Sequence, residues 1–125
     1  MENGIIQVER VYQMTPTNKQ QYRVLVDRLW PRGIKKNDLA LDAWEKLLAP
    51  STELRKWYGH DLKRFLEFQA RYKCELQSEC ALSKIDELKE LSHTKDLILL
   101  TATKDIDHSS ASVLKEILEE TCSNR

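Results

Sequence analysis

Val24-Leu25-Val26-Asp27-Arg28-Leu29-Trp30-Pro31-Arg32-Gly33 passes from an apolar, β-branched segment straight into charge, an aromatic, a proline and a glycine. An unbroken apolar run of this kind fits a strand covered on both faces, as in a parallel sheet. Pro31 and Gly33 break it. Asp27, Arg28 and Arg32 then stand at the mouth of a buried strand, where charges are costly to place. In open α/β sheets, ligands bind just beyond the carboxyl ends of the strands. The block therefore marks the expected site as well as the expected architecture.

Working outward, Leu97-Ile98-Leu99-Leu100, bounded by Asp96 and Thr101, is a second continuous apolar run. Val24–Val26 and Leu97–Leu100 are expected to be adjacent, buried, parallel strands. Ile5–Tyr12 reads as the first strand and Tyr22–Leu29 as the full second one. Thr15–Asn18 reads as a turn and Lys35–Leu39 as a short helical turn. Ala43–Ala49 has apolar residues three and four apart, as a helix would. The Pro50 stop also permits a short strand, and strand is the preferred reading. Ser51 is a good cap for a helix that runs to Trp57 or Tyr58 and stops at Gly59. Asp61 opens a long helix to about Ser78. Leu82, Ile85, Leu88 and Leu91 mark another helix, and Val113, Leu114, Ile117 and Leu118 the last one, capped between Asp105 and Ser109. Strands separated by helices, with no linker, predict a single α/β layered domain over 1–125, with a small, mostly parallel sheet flanked by helices.

Twenty Lys and Arg balance twenty Asp and Glu over 125 residues, which argues against coating nucleic acid by bulk charge. The helices flanking Gly59 and Ser92 lack a basic recognition face, which argues against a sequence-specific DNA reader. The three glycines, Gly4, Gly33 and Gly59, form neither a GxGxxG dinucleotide loop nor a GxxxxGK[ST] phosphate loop. Met1-Glu2-Asn3-Gly4 does not open a secretory leader, and no apolar run approaches the roughly 20 residues needed to span a bilayer. Cys74, Cys80 and Cys122 are an odd set that reads as reduced thiols, and the spacing of the first two is not that of a zinc knuckle. The expectation is a cytoplasmic protein with no membrane partner, metal or cofactor.

Charge is nevertheless uneven. From Arg23 to Lys36 five basic residues (Arg23, Arg28, Arg32, Lys35 and Lys36) face one acid, Asp27. Arg28 and Arg32 offer planar donor forks that suit a phosphate or carboxylate, and Trp30 between them could stack a flat ring. Ser51 at a helix start and Arg55 one turn in form a second anion-binding candidate. Lys104 and His108 follow the last apolar run, at the sheet's expected ligand end. Asp27 and His108 are the candidate acid–base groups. A structural reading of the same residues stays open: Asp27 pairs with Arg28, Arg32 or Arg55 and fixes the loop, Ser51 is a plain cap, and the tryptophans are packing.

Tyr22–Gly33 also resembles the signature of the domain-of-unknown-function 488 family. Ala49-Pro50-Ser51-Thr52-Glu53-Leu54-Arg55-Lys56-Trp57 resembles its second motif, and Leu99–Asp105 followed by His108 a third. The matches spread from about Ile6 to Leu118. Longer members carry a Cys near the end of the last strand and a Cys-His-Arg element. The corresponding positions here are Thr101 or Ala102 and Asp107-His108-Ser109, so the resemblance implies neither a thiol nor a metal role there. The family is named for its lack of an assigned activity, so the resemblance says little about function. Two readings follow. One is an anion-binding pocket for a nucleotide-like or phosphorylated small molecule, or a nucleic-acid end, with turnover left open. The other is a protein-interaction module whose Asp/Arg/Trp cluster is a structural ion-pair network. Oligomeric state is not readable from the chain.

Overall fold

Asp96–Thr101 forms the strand around which the sheet is built. The structure, a computed structural model, describes residues 4–13, 20–39 and 41–123. Within them the strands are β1 (Ile6–Arg10), β2 (Gln21–Leu25), β3 (Ala43–Trp44) and β4 (Asp96–Thr101). Their order is β1-β4-β2-β3, and every pairing is parallel. Val24 lies opposite Leu99 and Leu25 opposite Leu100, so the two apolar runs are neighbours, and both are fully buried.

Alternation along the strands builds two cores. Val24, Val26, Leu97 and Leu99 point to one face, covered by α1 (Thr52–Tyr58), α2 (Phe65–Glu75), α3 (Glu79–Ser92) and α4 (Ser110–Ser123). Leu25, Ile98 and Leu100 point to the other, where Trp30, Ile34, Leu39 and Leu41 from the β2–β3 connection close over them with Val11 and Trp44. A continuous apolar strand is thus explained by cover on both sides, helices on one and an irregular connection on the other.

β2 ends at Leu25, short of the expected Leu29, because Asp27 intercepts the ladder: the Ala102 N–H donates to its carboxylate instead of to a strand carbonyl. Ala43–Ala49 divides between both readings, a two-residue strand followed by a 3-10 turn at Lys46–Leu48. The expected long helix is also broken up. Asp61 accepts from the Lys63 N–H and sets a 3-10 turn at Leu62–Arg64 before α2 begins. At the far end α2 stops at Glu75, and Ser78 caps α3 by accepting from the Ala81 N–H at 3.2 Å. A 3-10 turn at Ile106–His108 precedes α4, and the Ser109 hydroxyl accepts from the Ser112 N–H. The Thr15–Asn18 turn, the terminal residues 124–125 and the Cys122 side chain lie outside the described residues. No helix among the described residues is long and apolar enough to cross a membrane.

α1 shows how local sequence positions the site. The Ser51 hydroxyl accepts from the Leu54 N–H at 3.1 Å, and Gly59 closes the helix with φ +50, its N–H donating to the Arg55 carbonyl. His60 continues at φ +60, so two left-handed residues turn the chain sharply and leave Arg55, Lys56, Tyr58 and His60 on one side of a cavity. A Cβ at position 59 would meet only the Lys56 carbonyl oxygen, at 3.5 Å. Gly59→Ala therefore bears only the backbone cost of the left-handed conformation, and we expect a loss of about 1 kcal/mol in urea-induced unfolding. An unchanged midpoint would show that the turn is not locked.

Candidate functional site

A cavity of about 490 Å³ opens beyond the carboxyl ends of β2 and β4. Asp27 forms part of its floor. The Thr101 hydroxyl donates to Asp27 Oδ1 and the Ala102 N–H to Oδ2, both at 2.7 Å. Thr101 Oγ1 in turn accepts from the Thr103 N–H at 3.2 Å, which orients the hydroxyl. Burial pushes the Asp27 carboxyl above its ordinary value, and the two hydrogen bonds and the Arg55 charge partly oppose this. No ion pair involves Asp27 among the described residues, so the expected partnership with Arg28, Arg32 or Arg55 is replaced by bonds to the end of β4.

Arg28 and Trp30 are held by the chain around them. Arg28 Nε donates to the Pro50 carbonyl at 3.1 Å and Nη2 to that of Ala49 at 3.5 Å, tying the loop after β2 to the entry of α1. Trp30 Nε1 donates to the Ile34 carbonyl at 2.6 Å, and the ring meets Trp44 edge-on with centroids 5.3 Å apart. Trp44 Nε1 donates to the Asp27 carbonyl at 2.7 Å. Both tryptophans thus brace the strand end from the second core.

Arg32, Arg55 and Lys56 are different. All three are exposed and line the cavity, and none makes a side-chain hydrogen bond or ion pair with another described residue. Tyr58 lines it too. Its hydroxyl donates to the His108 carbonyl at 2.8 Å, its ring stacks on Phe68 at 4.3 Å, and burial pushes the phenol upward.

Five of the expected residues (Asp27, Arg28, Trp30, Arg32 and Arg55) therefore share one cavity, and three do not line it. The Ser51 N–H and hydroxyl both bond the Glu75 carboxylate, at 2.8 and 2.6 Å, so the start of α1 already holds an anion from within the chain. The His108 ring packs edge-on against Phe65, and its Nδ1 lies 2.9 Å from Asp105 Oδ2. Lys104 is exposed outside the cavity wall. Tyr12, Lys56 and His60 also join the lining. Lys56 carried a legible signal, since it adjoins Arg55 on the same helix. Tyr12 carried only its place at the carboxyl end of a strand. Among the described residues no group of three or more His, Cys, Asp or Glu could hold a metal ion.

No solved structure matches the chain. Two proteins that bear the name uncharacterized protein are similar to it along most of its length. Rv3073c of Mycobacterium tuberculosis is 43% identical over 113 residues, covering 90% of this chain and 92% of its own. YeaO of Escherichia coli K12 is 42% identical over 114 residues, covering 90% of this chain and 96% of its own. The family model described as "Inactive DUF488-N3 subclade" matches residues 5–125. With that match running from β1 through the cavity-lining loops to the end of α4, the chain belongs to the DUF488-N3i family.

Proposed function

We propose that the cavity binds a small phosphate-bearing anion and does not transform it. The observation that carries this reading is the set of Arg32, Arg55 and Lys56, three cations on one cavity whose side chains make no hydrogen bond or ion pair with a carboxylate among the described residues. A guanidinium that is not hydrogen-bonded to a carboxylate retains its donor fork for a ligand. The volume suits a small molecule, and the balanced net charge does not favour a long polyanion. Absence of turnover is supported by the family's description as inactive. The free Cys74 and Cys80 thiols fit a reducing cytoplasm.

The test is a titration of the protein with inorganic phosphate, sugar phosphates, mononucleotides and short single-stranded oligonucleotides, followed by thermal stability and by recovery of the ligand. A ligand that binds only the folded state raises the melting temperature. We expect stabilisation by small phosphate esters, binding that weakens as salt is raised because the lining charges are exposed, and ligand recovered unchanged. If no anion stabilises the protein, the cavity is not an anion site, and the interaction-module reading takes its place. Recovery of an altered ligand would overturn the inactive reading alone.

A further inference from the structure

The same cavity carries an aromatic surface that the anion-binding reading does not use. Tyr12, in a 3-10 turn just after β1, lines it and is 44% exposed. Its ring is nonetheless fixed from two directions. The hydroxyl donates to the Arg32 carbonyl at 2.7 Å, and the Arg10 guanidinium lies over the ring, 4.9 Å from its centroid. Arg10 Nε is buried there with no hydrogen-bond partner among the described residues, so none of them holds the guanidinium against the ring through that bond. Leu29, 62% exposed, adds further apolar surface to the cavity wall. Trp30, the more obvious stacking candidate, is already engaged by Trp44 and the Ile34 carbonyl.

A pinned aromatic with exposed ring surface, bonded to the backbone of a cationic residue, is a stacking platform next to an anion site. Granted the anion-binding reading on which this rests, we infer that the ligand is a free nucleoside phosphate, its base stacked on Tyr12 and its phosphate among Arg32, Arg55 and Lys56. The Tyr12–Arg32 bond places platform and cation side by side, as a base and its phosphate require. Stacking is tolerant of base identity because every base offers a π face, so selectivity is for possession of a base and not for one particular base.

Equilibrium titrations with adenosine 5′-monophosphate and ribose 5-phosphate decide the matter, because the two differ by the base alone. On the parent protein we expect the nucleotide to bind about tenfold tighter or more, the range that stacking on an aromatic side chain supplies. In Tyr12→Leu the nucleotide should fall to the affinity of ribose 5-phosphate, which itself stays as in the parent. Equal binding of both compounds to the parent overturns the nucleoside inference and leaves the anion site standing. Failure of both to bind overturns the two together. A retained nucleotide preference in folded Tyr12→Leu would remove Tyr12 as the platform. The parent comparison decides between base and no base even where that variant does not fold.

Discussion

Asp27→Ala is expected to lose about 2–3 kcal/mol of folding stability, and Asp27→Asn less than half as much. The alanine leaves the Thr101 hydroxyl and the Ala102 N–H without their shared acceptor at the end of the central strand. Stranding such donors costs more than the removed bonds contribute, because each donor has already given up water. The asparagine can keep both contacts. Its carbonyl accepts from the Ala102 N–H while its amide donates to Thr101 Oγ1, whose hydroxyl then turns away. It also removes the cost of burying a charge.

That cost gives the same pair a pH signature. Burial holds the Asp27 carboxyl above its ordinary value. Between that ordinary value, near 4, and the raised one, the folded state therefore binds more protons than the unfolded state. The proton-linked part of Asp27's contribution to stability is fully present at lower pH and is lost as pH rises through this window, while the bonds to Thr101 and Ala102 remain. Urea unfolding of the parent and of Asp27→Asn across the acid range should show a parent-minus-variant difference that declines with pH and then levels off. A loss within about 0.5 kcal/mol for Asp27→Ala, the ordinary range for a surface substitution, would show that the carboxylate does not hold the two strand ends together.

The residues that made the fold legible are those whose environment is decided along the chain. Leu97–Leu100 and Val24–Val26 are apolar at every position because each face of the sheet is covered, and continuity of pattern reports that directly. Where β2 stops could not be read in the same way. Its end depends on the Ala102 N–H choosing a side chain 75 positions away. Ser51 shows the same limit. The cap is local and legible, but the Glu75 carboxylate that occupies its N–H and hydroxyl comes from the end of another helix. Asp27, Arg28, Trp30 and Arg32 were legible as neighbours at one strand end because they follow that strand without interruption, and all four line the cavity. Tyr12 and His60 reach the cavity only through the parallel placement of β1 beside β4 and the left-handed turn after α1. His108 falls in the expected loop, yet its side chain is drawn away by Phe65 and Asp105.

Arg32→Ala combined with Arg55→Ala should weaken binding of a small phosphate ester about a hundredfold or more, since each removes charge-assisted bonds from a single site. The fold should be untouched. Both side chains are exposed and neither supports a hydrogen bond or ion pair with another described residue; at Arg32 the internal bond to Tyr12 uses the backbone carbonyl, which alanine keeps. Arg28→Ala provides the contrast: it takes the donors from the Pro50 and Ala49 carbonyls, and should lower stability along with binding. Arg55 also has an effect that can be read without any ligand. Its charge pulls the Asp27 carboxyl down against the effect of burial, so removing it lets that carboxyl rise further. The pH window in which the proton-linked part of Asp27's contribution is lost should then move upward in Arg55→Ala and stay in place in Arg32→Ala. Isothermal titration for binding and pH-dependent unfolding for Asp27 thus report on one residue through two independent quantities. Undiminished phosphate binding in the double variant would retire these arginines as the anion site. An unmoved window in Arg55→Ala would show that its charge does not reach the floor of the cavity.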